Sequence, residues 1–174
     1  MNSTNLAKAG KFYTVEEYLA IERASEEKHE YVDGAIIALE SENAIVGMAG
    51  ASRTHNLITA NAGTEIRFQL KGKNCETYIA DMRVRMRNPR YGYPDVTVVC
   101  GAPQFEDDEF DTLLNPTLVI EVSSKSTRFR DKTEKLEPYL QMESVQDCIL
   151  IEQDKMRVEL YKKTNAKAMV IRNR

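Results

Sequence analysis

The chain has 174 residues, 42 % hydrophobic and 29 % charged, with 24 lysines and arginines against 27 aspartates and glutamates for a formal net charge of −3. Those proportions predict one soluble globular domain over residues 1–174, long enough to bury roughly two thirds of its unfolded surface. They exclude a histone-like protein that holds nucleic acid by bulk charge, and they leave a local basic patch open. No apolar run approaches the ~20 residues needed to cross a bilayer, and residues 1–10 lack the apolar core of a signal peptide, so a cytoplasmic, bacterial protein with no membrane partner is expected. Cys75, Cys100 and Cys148 are an odd number, widely spaced and without a C-x-x-C pair. That speaks against a disulfide framework or zinc site and for a reducing compartment.

After a polar leader over residues 1–11, Thr14-Val15-Glu16-Glu17 is a capping box and predicts a helix to about Ala24. Tyr18, Leu19 and Ile21 give it an apolar side, and Tyr18 and Tyr31 are expected in the core. Asp33-Gly34 separates two strand-like runs within residues 30–39, the composition of a type I′ hairpin turn, whose central residues both need positive φ. A third strand over residues 44–48 would extend the hairpin. Ser52 or Thr54 caps a helix over residues 55–70, with Leu57, Ile58, Ala62, Ile66 and Leu70 at helical spacing and Gly72 as the stop. His55 falls in its first turn, where the helix N-terminus disfavours an imidazolium and leaves a ring able to bind metal or accept a proton.

Residues 76–87 read as one half-buried strand. Met82, Val84 and Met86 share one face, and Arg83, Arg85 and Arg87 line the other, exposed, either as phosphate contacts or as a plain solvated strand face. Asn88-Pro89-Arg90-Tyr91-Gly92 is a turn. Residues 101–115 form an acidic loop, with Glu106, Asp107, Asp108, Glu109 and Asp111, of the kind that is solvated. Asp131-Lys132-Thr133-Glu134 opens a helix to about Met142 with Leu136, Tyr139 and Leu140 facing inward and Pro138 inside it, costing a hydrogen bond and bending it. Strands follow over residues 147–152, 157–162 and 168–171. The order predicts an α+β or mixed α/β domain, a central mixed sheet flanked by helices with an N-terminal hairpin.

Two stretches carry the chemistry, Tyr93-Pro94-Asp95-Val96-Thr97-Val98-Val99 and Leu118-Val119-Ile120-Glu121-Val122-Ser123. Each is a β-branched run of strand length holding one carboxylate, which is costly to bury unless a cation neutralises it. On neighbouring strands Asp95 and Glu121 would bind Mg²⁺ or Mn²⁺. Such an ion lowers the pKa of a bound water and neutralises charge, which is what phosphodiester hydrolysis needs. A lysine beside the attacking water would complete the site. The position two after Glu121 is Ser123, so the lysine must come from elsewhere: Lys125 in the following loop or, preferred, Lys135 in the next helix, whose stem flanks the buried stripe. Asp81 and Glu30 are candidate accessory acids.

The ordered set Glu30-Tyr31-Val32-Asp33-Gly34, Gly50-Ala51-Ser52 with His55-Asn56, Tyr93-Pro94-Asp95-Val96, Val119-Ile120-Glu121-Val122 with Ser126-Thr127, and Glu134-Lys135 with Tyr139 resembles the Uma2 family. That family, once a domain of unknown function, belongs to the PD-(D/E)XK group with the restriction-endonuclease-like fold. The resemblance runs from about Phe12 to Lys162. It implies that Asp95 and Glu121 are the metal-binding carboxylates, that the lysine has moved from the strand to the following helix as Lys135, and that His55 belongs to the active site. The function expected is a Mg²⁺-dependent DNA endonuclease, acting as a homodimer where both strands of a duplex are cut. The chain departs from the family pattern at Pro138, at Lys125, where proline is usual, and at its end at Arg174, which implies a truncated copy. The rival expectation is a non-catalytic nucleic-acid-binding or interaction domain of the same fold.

Overall fold

The computed structural model describes residues 11–39, 51–87, 89–124, 135–163 and 168–172. Helix α1 (Val15–Ala24) starts at the capping box: the Thr14 hydroxyl accepts from the Glu17 backbone at 3.2 Å, and the Glu17 carboxylate accepts from the Thr14 N–H at 2.8 Å. Strands β1 (His29–Val32) and β2 (Ala35–Ala38) form the antiparallel hairpin, with Asp33 and Gly34 at φ 50° and 92° as its turn requires. Helix α2 (Arg53–Gln69) is capped by Ser52, whose hydroxyl accepts from the His55 N–H at 3.1 Å. Strands β3 (Cys75–Ile79), β4 (Arg83–Met86), β5 (Arg90–Gly92), β6 (Val96–Cys100), β7 (Thr112–Leu113) and β8 (Leu118–Ser123) follow. Helix α3 (Leu136–Gln141) and strands β9 (Asp147–Glu152), β10 (Arg157–Lys163) and β11 (Ala168–Arg172) complete the order.

The α+β class stands, but the strands divide into two mixed sheets rather than one. A six-stranded sheet has the order β11-β10-β9-β8-β6-β3, with β8 and β9 parallel; a five-stranded sheet has the order β2-β1-β5-β4-β7, with β4 and β7 parallel. The division falls inside the expected single strand over residues 76–87. Ala80 takes φ 64° and gives its N–H to the Asp95 carbonyl at 2.9 Å, so the chain leaves one sheet after Ile79 and enters the other at Arg83. The alternation in that stretch is real, yet it belongs to β4 alone.

Two apolar clusters hold the layers. Val84 of β4 packs with Val119, Leu136, Tyr139, Met142, Val145, Cys148 and Leu150, joining the two sheets through α3. Tyr18, Leu19, Tyr31, Ile36 and Tyr91 seat α1 on the five-stranded sheet, and the Tyr18 and Tyr31 rings stack at 5.0 Å. Helix α2 lies on β3, β6 and β8. Its buried residues are Thr59 and Gly63, and the expected contact residue Leu57 is 47 % exposed. A Cβ on Gly63 would come within 2.5 Å of the Ile79 side chain, so the helix approaches the sheet closely there.

Two further expectations are corrected. The acidic loop is pinned rather than solvated: Arg23 pairs with Asp107 at 2.7 Å and Asp111 at 2.9 Å, and Glu106 takes Arg85 and the Tyr91 hydroxyl, each at 2.7 Å. Cys75 and Cys100 form a disulfide, because the β3–β6 register sets them directly opposite one another across 25 residues of sequence. Pro138 is the third described residue of α3 (Leu136–Gln141), and the stretch before Lys135 in which the helix is expected to open lies outside the described residues, so the bend at Pro138 stays an expectation. The expected strand at residues 44–48 and the capping pattern at residues 131–134 lie outside the described residues. Among the described residues no helix is long and apolar enough to cross a membrane.

Candidate active site

Strands β6 and β8 pair antiparallel with Val96 opposite Ile120, so Asp95 and Glu121 are the next residues out along the same pairing. Asp95 is fastened there. Its Oδ2 accepts from the Val122 N–H at 2.7 Å, the peptide that follows Glu121, and its Oδ1 lies 3.1 Å from His55 Nε2. His55 reaches it because the Ser52 cap starts α2 over this end of the sheet. Its ring and the Asp95 side chain are 22 % and 16 % exposed, half-open to solvent, whereas Glu121 is 4 % exposed.

A second group of side chains reaches Glu121 from the seam between the sheets. Glu121 shares a face of β8 with Val119 and is paired with Leu150, both packed with the fully enclosed Tyr139 of α3, so this phenol lies beside the Glu121 carboxylate, and Glu30 of β1 is a further charged neighbour. Burial, and then the two carboxylates, keep this phenol protonated far above the usual tyrosine range. The Lys135 ammonium, at the N-cap of α3, lies 3.3 Å from Glu30 Oε1. Gly92 of β5 lines the same space: a Cβ there would stand 3.3 Å from the Tyr139 hydroxyl and 3.8 Å from Glu30 Oε1. Asp95 is thus joined by short contacts to His55 and to the peptide after Glu121, Lys135 is joined to Glu30, and Tyr139 feels the charge of both Glu121 and Glu30.

Other expected residues lie elsewhere. Asp81 is exposed on the link between β3 and β4 and pairs with Lys28. Lys125 lies outside the described residues. Arg83 corrects the reading of an exposed arginine face: it is 3 % exposed, with Nε on the Thr112 hydroxyl at 2.8 Å, Nη1 on Tyr93 at 3.2 Å and Nη2 on Asp111 at 2.8 Å. Alternation along β4 could not reveal this, because the face opposite the core is covered by the acidic loop and α1. Arg85 pairs with Glu106, and Arg87, the most open of the three, reaches Glu143 at 3.5 Å.

Ser123, in the place of a strand lysine, is buried, and its hydroxyl has no hydrogen-bond partner among the described residues. Glu152 and Glu159, both buried, went unrecognised in the sequence. Glu159 follows Glu121 and Leu150 along one row of the sheet, and Arg157 binds Glu159 at 2.5 Å and Glu152 at 3.5 Å. Their signal was a charge at an inward position of an alternating strand. His29 was missed as well: its Nδ1 meets Glu22 at 2.9 Å inside the network that holds Tyr93 and Arg83. Among the described residues, no three His, Cys, Asp or Glu side chains gather closely enough to hold an ion between them.

Sequence comparison places relatives in cyanobacteria. Two uncharacterized proteins of Synechocystis sp. are each 34 % identical to the chain, one over 88 % of it and 82 % of the relative's own length, the other over 86 % and 74 %. A crystal structure described as "a putative nuclease belonging to DUF820", from Anabaena variabilis, shares the fold at a TM-score of 0.62 and 18 % identity, over 92 % of this chain and 85 % of that one. The fold is therefore the restriction-endonuclease-like one. The model of the Uma2 family, described as "Putative restriction endonuclease", matches residues 15–172. With nearly the whole chain matched, from α1 to the last strand, the protein belongs to the Uma2 family.

Proposed function

We propose that the protein is a Mg²⁺-dependent endonuclease that hydrolyses DNA phosphodiester bonds, with Asp95 and Glu121 as the metal-holding carboxylates. One observation supports this most: the two carboxylates occupy facing positions of a buried strand pair, with Asp95 fastened to the peptide beside Glu121. Mg²⁺ binds through one or two carboxylates and completes its shell with water and substrate phosphate, so this donor set suits it. When bound, the ion supplies charge neutralisation and a water of lowered pKa.

The protein's own groups do the rest. His55 holds one Asp95 oxygen and leaves the carboxylate a fixed orientation. Lys135, tethered by Glu30, presents an ammonium that orients the attacking water or a phosphate oxygen. Glu30, buried, neutralises that ammonium between turnovers. The exposed guanidiniums of Arg85 and Arg87 are candidate phosphate contacts. Cutting both strands of a duplex requires two such sites and hence a homodimer, and a cytoplasmic location fits a DNA substrate.

Ser123 favours a second reading, a domain that binds nucleic acid without cutting it, since a buried hydroxyl stands where the strand lysine would be. Cleavage of supercoiled plasmid in Mg²⁺ separates the two. The nuclease reading expects nicking by the wild type, lost by at least ~10²-fold in Asp95→Ala and in Glu121→Ala. Equal activity in all three proteins, or none in the wild type, would overturn it.

A further inference from the structure

Glu121 sits in the middle of the sheet, where its carboxylate depends on neighbouring donors to hold one orientation. The Tyr139 phenol is placed to be one, because it packs with Val119 and Leu150, the neighbours of Glu121 on that face of the sheet. Its ring has no freedom to wander, being packed with Leu136, Val119, Cys148 and Leu150 and 1 % exposed. The hydroxyl needs room between two carboxylates, and Gly92 provides it. Gly92 is not among the glycines at positive φ, which among the described residues are Gly34, Gly72 and Gly101, so its backbone conformation does not call for glycine. What calls for it is space: a Cβ would lie 3.3 Å from the Tyr139 hydroxyl and 3.1 Å from the end of Met86. The oxygen would have to yield by a few tenths of an ångström, away from the position it needs to meet Glu121.

We propose that Tyr139 is a positioning residue that sets the orientation of the Glu121 carboxylate for the metal, and that Gly92 lacks a side chain so that the Tyr139 hydroxyl can reach it. Helix α3 then serves both halves of the site: Lys135 goes to Glu30, and one turn later Tyr139 goes to Glu121. Outer partners of this kind fix the geometry of a ligating carboxylate, and losing one weakens metal binding by about 10–100-fold. The inference rests on the metal site proposed above.

Calorimetric titration of Mn²⁺ into the full chain tests it, with thermal unfolding in metal-free buffer as the structural control. Tyr139→Phe keeps the ring and removes only the hydroxyl. It is expected to unfold within a few degrees of the wild type and to bind Mn²⁺ about 10–100-fold more weakly. Gly92→Ala is expected to weaken binding in the same direction. Because the two act through one contact, the double variant is expected to bind no more weakly than Tyr139→Phe alone. Wild-type affinity in Tyr139→Phe would overturn the role of the hydroxyl. Loss of the fold in Tyr139→Phe would make the hydroxyl structural and overturn it too. Full additivity of the two substitutions would overturn the role of Gly92. A wild type that takes up no Mn²⁺ would overturn the metal site itself and this inference with it.

Discussion

Asp111 shows how a single side chain in this fold takes its properties from partners far away in sequence. The Arg23 hydrogen bond holds its carboxyl well below the usual carboxylate range, with Thr112 and Arg83 adding to the effect against the opposing cost of burial. The folded value is depressed, so the stability it brings is fully present above the unfolded value of about 3.9 and is lost as pH falls through the folded one. Asp111→Asn is expected to lower stability by roughly 1–3 kcal/mol near neutral pH, since it also strips a charge from the buried Arg83. The gap between the two proteins should narrow as pH falls from about 4 toward 2. Urea midpoints across that range measure it, and a gap that does not change with pH would contradict the account. Nothing within the run Glu106 to Asp111 announces these partners: Arg23 and Arg83 lie 88 and 28 residues from Asp111.

At the scale of elements, signals written within a few residues were legible. The Thr14 capping box, the Asp33-Gly34 turn and the cap one turn ahead of His55 were all readable, because each is a local hydrogen-bonding or φ requirement. Register and sheet membership were not, because they are decided by partners elsewhere. The break at Ala80, the burial of Arg83 and the Cys75–Cys100 disulfide all follow from which strand lies beside which. The same holds for the site. Both carboxylates stood out as acids in apolar strands, while the place of Tyr139 in the seam could not be read from its helical spacing, which marked it only as core.

The seating of α2 is likewise non-local, and it matters because α2 carries His55. At Gly63 the helix touches Ile79, whose side chain is 42 % exposed and can swing aside for one methyl group. Gly63→Ala should therefore cost less than ~1 kcal/mol. Gly63→Val adds a branch that the contact cannot absorb and should cost about 1–3 kcal/mol. Chemical denaturation would measure both, and a Val variant as stable as the wild type would show that the approach is looser than described.

For the whole molecule, the proposed site is a junction. The six-stranded sheet supplies Asp95 and Glu121, the five-stranded sheet supplies Glu30 and Gly92, and α3 crosses between them with Lys135 and Tyr139. Metal binding would thus depend on the two sheets being held in one relation by the cluster that joins Val84 to Val119, Leu136 and Leu150. The most direct test of that claim is a crystal of the protein soaked in Mn²⁺ and measured for anomalous scattering. The account predicts one peak within bonding distance of a carboxylate oxygen from each of Asp95 and Glu121. A peak that touches neither residue, or none at a saturating concentration, would contradict it.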